Sequence, residues 1–172
     1  AEALIEVGRH VRPGISSDEL DRIGHEYMVD AGAYPSTLNY RGFPKSLCTS
    51  VNEIVCHGIP DSRKLVDGDI VNVDITAFIE GVHGDTSCTF LVGDVDAASV
   101  ELVHRTRAAM YAGIEVVRPK ARIYESGRAR EAIAPLRQAV ALTPSSALIR
   151  AMLGRAMVAS GDPGVVDQAI RE

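Results

Sequence analysis

Tryptophan is missing from this 172-residue chain, and aromatic residues make up 5% of it. No run of basic residues occurs, and the net charge is −5. An acidic chain without a basic patch is a poor partner for nucleic acid or an anionic membrane surface, so neither is expected. No apolar stretch approaches the roughly 18 residues of a membrane span, and no charged-then-apolar leader opens the chain. The three cysteines, Cys48, Cys56 and Cys88, form no Cys-x-x-Cys pair and are odd in number. That argues against a disulfide framework and fits a reducing, cytoplasmic setting. No Ser/His/Asp order and no Gly-rich phosphate loop stands out. The chain opens at Ala1 rather than Met, as a processed or truncated piece would.

What is present suffices for one ordinary core, or a small domain with an appendage, since 46% of the residues are hydrophobic. "AEALIEVGRHV" has apolar residues at helical spacing and stops at "RPG". "SSDELDRIGHEYMVDAG" is a well-signalled helix: Ser16 and Glu19 have capping-box spacing, Leu20, Ile23, Tyr27, Met28 and Ala31 form one apolar face, and Gly32 suits the C′ position. Residues 33–45 read as loop. "SLCTSVNEIVCHGIP" reads as short extended pieces. "IVNVDITAFI", the turn "EGVHGD" and "TSCTFLVGDV" form the best hairpin in the chain, and "DAASVELVHRTRAAMYAGIEVV" is a long helix.

The hairpin holds two aspartates, Asp74 and Asp85, eleven residues apart. Alternate residues of a strand share a face, so Asn72, Asp74 and Thr76 lie together on one strand and Asp85, Ser87 and Thr89 on the other. If the turn brings these faces to one side, the carboxylates become neighbours and repel unless a cation lies between them. A divalent ion such as Mn, Fe, Co, Zn or Mg suits such oxygen ligands. The alternative is a hairpin whose polar face simply meets water. Two carboxylates are also fewer than a catalytic metal site needs. His57 ends an apolar run just before a Gly-Ile-Pro turn, where it suits either a substrate contact or a bond to local backbone. His83 falls in the expected turn with a solvated or structural role, and His10, His25 and His104 read as surface residues of helices.

The stretch "AGAYPSTLNYRGFPKSLCTSVNEIVCHGIPDSRKLVDGDIVNVDITAFIEGVHGDTSCTFLVGD" resembles the N-terminal half of type I methionine aminopeptidases, over about residues 1–120. The resemblance implies an α+β fold, the N-terminal half of the "pita-bread" architecture, whose two pseudo-symmetric halves enclose a dinuclear metal centre. It implies a catalytic, substrate-contacting role for His57, a methionine pocket around Tyr40, Phe43 and Cys48, and metal ligation by Asp74 and Asp85. Asn52 falls where the family's loop holds a monovalent cation. The implied cofactors are two divalent ions (Mn, Fe, Co or Zn), and the implied partner is an N-terminal Met peptide or nascent chain. The family's remaining ligands come from a "GHGIG"-type His, a "TIEP"-type Glu and a final strand Glu. None of these motifs occurs here, so the chain is expected to bind metal weakly and to be inactive alone.

From about Tyr124 the character changes. Residues 124–172 hold six Arg, no Lys and five acids, a formal +1 against −6 for the rest. "YESGRA" recurs as "VASGDP", with Gly127 and Gly161 thirty-four residues apart, the tetratricopeptide period. Gly127, Ala132, Ile133, Ala139, Leu142, Pro144, Leu153, Gly154, Ala156 and Gly161 resemble that repeat, while Pro135 departs from it. The expected organisation is a partial pita-bread domain at 1–123 and an all-α tetratricopeptide-like hairpin at 124–172. Such a tail suggests a protein partner, or a helical hairpin packed on the domain. A half-domain with an uncovered apolar face suggests self-association. A protein-binding module on a partial scaffold, and a non-functional chimeric fragment, are the alternative readings of the whole.

Overall fold

The computed structural model describes residues 1–114, together with the helical residues Ala134 and Arg137. The expected tetratricopeptide-like tail and the boundary near residue 123 lie outside the described residues. The chain divides into two compact units, Ala1–Asp96 and Ala97–Glu172. The described part of the second is the helix Ala97–Ile114, with Ala134 and Arg137; in that helix Arg105 Nε bonds Glu101 Oε1 at 2.5 Å one turn earlier. No described helix is long and apolar enough to cross a membrane.

The first unit runs α1 (Glu2–His10), α2 (Ser17–Asp30), β1 (Tyr34–Pro35), β2 (Cys48–Val51), β3 (Ile70–Ile79) and β4 (Val82–Leu91); the helix of the second unit is α3. Helix α2 begins where Ser16 Oγ accepts the Glu19 amide at 3.2 Å. The capping box is half made, because the Glu19 carboxylate turns to Arg22 Nε at 2.9 Å. At the other end Gly32 takes φ +75 and the Ala33 amide reaches back to the Met28 carbonyl at 2.8 Å, which satisfies a terminal carbonyl.

All strand pairs are antiparallel, and β3 is their hub. One edge pairs with β4 along its whole length. The other is shared by β2, opposite residues 71–74, and by β1, opposite residues 77–78. The chain between β1 and β2 must therefore leave that edge and return to it, which makes residues 36–47 an outward loop. Val71, Val73 and Ile75 point into the core with Val7, Leu20, Met28 and Leu47. Helices α1 and α2 cover that face. The close fit depends on Gly24, where a Cβ would sit 2.5 Å from Leu47 Cδ2, and on Gly8, where it would sit 2.5 Å from the Phe90 ring.

The structure departs from expectation in four places. Residues 33–45 contain β1 and a 3₁₀ turn, Tyr40–Gly42, within the expected loop. The hairpin turn is only Glu80–Gly81, both with positive φ (+49 and +88), so His83 belongs to β4 opposite Phe78. His25, expected at the surface, is half-buried and hydrogen-bonded to Ser46 Oγ at 2.8 Å, and His10 is half-buried as well. Asp21, on the inner side of α2, is buried. Its Oδ1 accepts the amides of Ser46 (2.8 Å) and Leu47 (3.1 Å), while Thr37 Oγ1 donates to the Ser46 carbonyl. Together these bonds pin the returning end of the outward loop to α2.

Replacing Asp21 by Ala strands two buried amides and is expected to cost about 2–3 kcal/mol, read from urea unfolding midpoints. Asp21→Asn keeps the acceptor oxygen and is expected to cost less than half as much. Equal losses in the two variants would show that charge, not the acceptor, holds the loop.

Candidate functional site

The hairpin register decides the arrangement of the aspartates. Asp74 faces Ser87 across the ladder and Asp85 faces Thr76, so the two carboxylates are diagonal neighbours on one face. That face is opposite the core-facing Val71, Val73 and Ile75. Thr76 Oγ1 donates to Asp85 Oδ1 at 2.9 Å, and Asn72 Nδ2 donates to Thr89 Oγ1 at 3.2 Å beside them. Burial pushes the Asp74 carboxyl up first; the negative charge of Asp85 and a hydrogen bond between the two carboxyls push it further, and His57 acts in the opposite sense. Two carboxylates placed this way are a pair that a cation between them would relieve.

The same sheet edge supplies the neighbouring cavity. Its volume is about 750 Å³, and Tyr40, Phe43, Cys48 and His57 line it together with Thr76, His83 and others. Cys48 is opposite Asp74 in the β2–β3 ladder and is 4% exposed. Burial, reinforced by the charge of Asp74, pushes its thiol up to about 11. At neutral pH it is a protonated, weakly polar wall rather than a nucleophile. Phe43 is half-buried and Tyr40 is exposed.

His57 is held by its neighbour. The Thr49 amide donates to the Gly58 carbonyl at 2.9 Å, and the Gly58 amide donates to Ser50 Oγ at 3.2 Å. A Cβ on Gly58 would sit 2.1 Å from the Thr49 carbonyl oxygen, so only glycine permits this approach. His57 itself takes φ +54 and is exposed at the cavity. Further along, Ser17 Oγ and the Asp61 amide are 2.9 Å apart, which fastens this segment to the start of α2. Asn52, at the end of β2, has φ +52 and spends its side chain on Asp69 and the Ile70 amide.

The residues singled out for catalysis, substrate and metal thus converge: Asp74 and Asp85 on the sheet, and Tyr40, Phe43, Cys48 and His57 around the adjoining cavity, while Asn52 lies outside the cavity wall. Thr76 and His83 are among the wall residues that were not singled out. Thr76 was legible from alternation, since it shares a face with Asp74. His83 was obscured because Gly81 and Gly84 make the whole stretch look like turn; it hydrogen-bonds Ser36 Oγ at 2.9 Å and packs its ring 4.8 Å from that of Phe78.

Metallopeptidase family M24 matches residues 1–141. The chain belongs to this family. M24 enzymes are metallopeptidases, and the match extends beyond the residue-120 limit expected from the motifs. "Methionine aminopeptidase 2" of Mycobacterium tuberculosis is 58% identical over 134 residues, 78% of this chain and 47% of that protein. The crystal structure of methionine aminopeptidase from Rickettsia prowazekii superposes with a TM-score of 0.74 at 41% identity, covering 80% of this chain and 54% of that one. Escherichia coli aminopeptidase P, at 23% identity and a TM-score of 0.67, shares the fold. This M24 chain spans between about a third and about half of the length of the curated relatives it matches.

The donor set fits a divalent ion in part. Asp74 and Asp85 are hard oxygen donors that repel each other without one, but no group of three or more His, Cys, Asp or Glu able to hold a metal exists among the described residues. Asp85→Asn removes the repulsion and keeps the acceptor for Thr76. In chelator it is expected to raise the melting temperature by a few degrees, as relief of about 1 kcal/mol would. It is also expected to abolish any rise produced by Mn²⁺ in the parent. A lower melting temperature in chelator would mean that the pair is not repulsive.

Proposed function

We propose that this M24 chain is a methionine aminopeptidase-type module acting on peptides and nascent chains with N-terminal Met. The observation that carries the reading is the hairpin register, which sets Asp74 and Asp85 side by side next to a cavity walled by Cys48 and His57. Relatives named methionine aminopeptidase, up to 58% identical, support it.

In this reading Asp74 and Asp85 are two of the carboxylate ligands of a divalent metal centre (Mn, Fe, Co or Zn). When bound, such ions supply Lewis-acid activation of water and of the scissile carbonyl. The chain's own residues bind and orient. Thr76 fixes the Asp85 carboxylate through its hydroxyl. Phe43, Tyr40 and the protonated Cys48 form a weakly polar pocket suited to a thioether side chain. The His57 ring makes no hydrogen bond to the described residues and is free to contact the peptide backbone. The cysteines are unpaired, which supports a reducing, cytoplasmic setting.

The motifs for the family's other ligands are missing from the sequence, and the described residues supply only two. We therefore propose that this chain binds metal weakly and, by itself, turns over Met-Ala peptides at roughly 10⁻² per second or slower, against about 10 per second for a typical enzyme. The measurement is release of Met from a Met-Ala tripeptide with millimolar Mn²⁺ or Co²⁺. Turnover at an ordinary enzyme rate that Asp74→Ala abolishes would overturn the inactivity and keep the site. Absence of both Mn²⁺ binding and Met-peptide binding would overturn the functional reading.

A further inference from the structure

Arg41 is the arginine of the cavity wall, and the proposed chemistry has no use for it. It sits in the Tyr40–Gly42 turn at the cavity wall, exposed to solvent. Its guanidinium lies 5.5 Å from the centre of the Tyr40 ring, a stacking that steadies the planar fork without engaging its donors. Among the described residues it joins none of the ion pairs, in contrast to Arg9, Arg22, Arg63 and Arg105. Among the described residues no carboxylate lines the cavity, whose other titratable side chains besides Arg41, Tyr40 and Cys48 are His57 and His83.

The backbone adds an independent observation. Arg41 takes φ +49, between Asn39 at +63 and Gly42 at +85. Glycine would meet that conformation with less strain, so a long cationic side chain stands here where the backbone alone would favour none. The resulting charge layout is directional. Asp74 and Asp85 are the ladder partners of Cys48 and Thr76, both in the cavity wall, while the exposed turn bears a cation. A peptide whose amino terminus approaches the aspartates, with its first side chain among Tyr40, Phe43 and Cys48, leads its later residues toward solvent and that turn.

Building on the aminopeptidase reading, we propose that Arg41 is a carboxylate-recognising subsite that favours peptides carrying an acidic group a few residues beyond the N-terminal Met. The chemistry is a guanidinium–carboxylate pair, and the carboxylate comes either from an Asp or Glu side chain or from the C-terminus of a short peptide. Arg41 selects among substrates and takes no part in bond breaking.

The test is binding, which does not require turnover. NMR titrations of the full chain with Zn²⁺ present, at low ionic strength, would compare amide-capped Met-Ala-Glu-Ala, Met-Ala-Gln-Ala and Met-Ala-Lys-Ala, and the Gln peptide with a free C-terminus. The Glu peptide is expected to bind roughly threefold more tightly than the Gln peptide, the scale of one exposed ion pair, with the Lys peptide weaker still. High salt is expected to remove most of the preference. Arg41→Lys should keep much of it, Arg41→Gln should abolish it, and Arg41→Glu should reverse it. Preference for the free-acid Gln peptide alone assigns the subsite to a C-terminal carboxylate, and preference for Glu assigns it to a side chain. Arg41→Gly relaxes the turn, so loss of preference in a variant that melts no lower excludes misfolding. Equal affinity for the Glu, Gln, Lys and free-acid peptides overturns the Arg41 assignment while leaving the aminopeptidase reading intact. If none of the Met peptides binds, that reading falls and the subsite with it.

Discussion

The two-residue turn at Glu80–Gly81 is the constraint on which the rest depends. It fixes the pairing of β3 with β4, and in a sheet a slip of one residue sends every side chain to the other face. With the observed register Val71, Val73 and Ile75 enter the core and Asp74, Thr76, Asp85 and Ser87 face away from it. A slip would bury carboxylates among Leu20, Met28 and Leu47. The hydrophobic core and the polar site are therefore specified by the same pairing, and neither can change alone. Positive φ at both turn positions suits the right-handed twist of the flanking strands, so local chemistry and global packing agree.

That pairing also creates a local cost. Asp74 and Asp85 oppose each other electrostatically on a partly desolvated face, with a threonine hydroxyl and a histidine nearby rather than a lysine or arginine. The fold offsets this elsewhere. The aliphatic core beneath β3, the Ser16 cap of α2 and the buried Asp21 acceptor all act on the side of the sheet away from the pair. This separation keeps the repulsion of the pair apart from the packing that holds the fold, and a cation between the two carboxylates would relieve it.

Much of this was legible in the sequence, to different degrees and for different reasons. Helix α2 carried local signals at both ends, in Ser16 and Gly32, and a periodic face between them. The polar faces of β3 and β4 followed from alternation alone. Strand β1 was not legible because two residues, Tyr34 and Pro35, have no period. Asp21 looked like any charged helical residue, and only the return of Ser46 and Leu47 from a loop 25 residues away explains its burial. His83 was hidden by flanking glycines that imitate a longer turn. The gathering of Tyr40, Phe43, Cys48 and His57 around one cavity depends on contacts between distant segments, which no spacing rule encodes. Their grouping came from resemblance, and their geometry from the fold.

The strained positions explain how that geometry is kept. Among the described residues five non-glycine residues adopt positive φ: Asn39, Arg41, Asn52, His57 and Glu80. Three of them lie in the segments that form the cavity or adjoin it, one ends β2 and one makes the hairpin turn. Three of the five are fastened by a specific neighbour. The Asn39 amide donates to the Phe43 carbonyl at 2.8 Å, Asn52 is tied to Asp69 and Ile70, and His57 follows the chain that Gly58 locks to Thr49. Left-handed conformations of this kind persist only where surrounding bonds over-determine them. The loops are thus committed to their shape by the scaffold. On the proposed reading, a peptide entering the cavity would spend little of its binding energy on ordering them, so that contacts as modest as an exposed arginine or a weakly polar thiol would be able to discriminate among peptides.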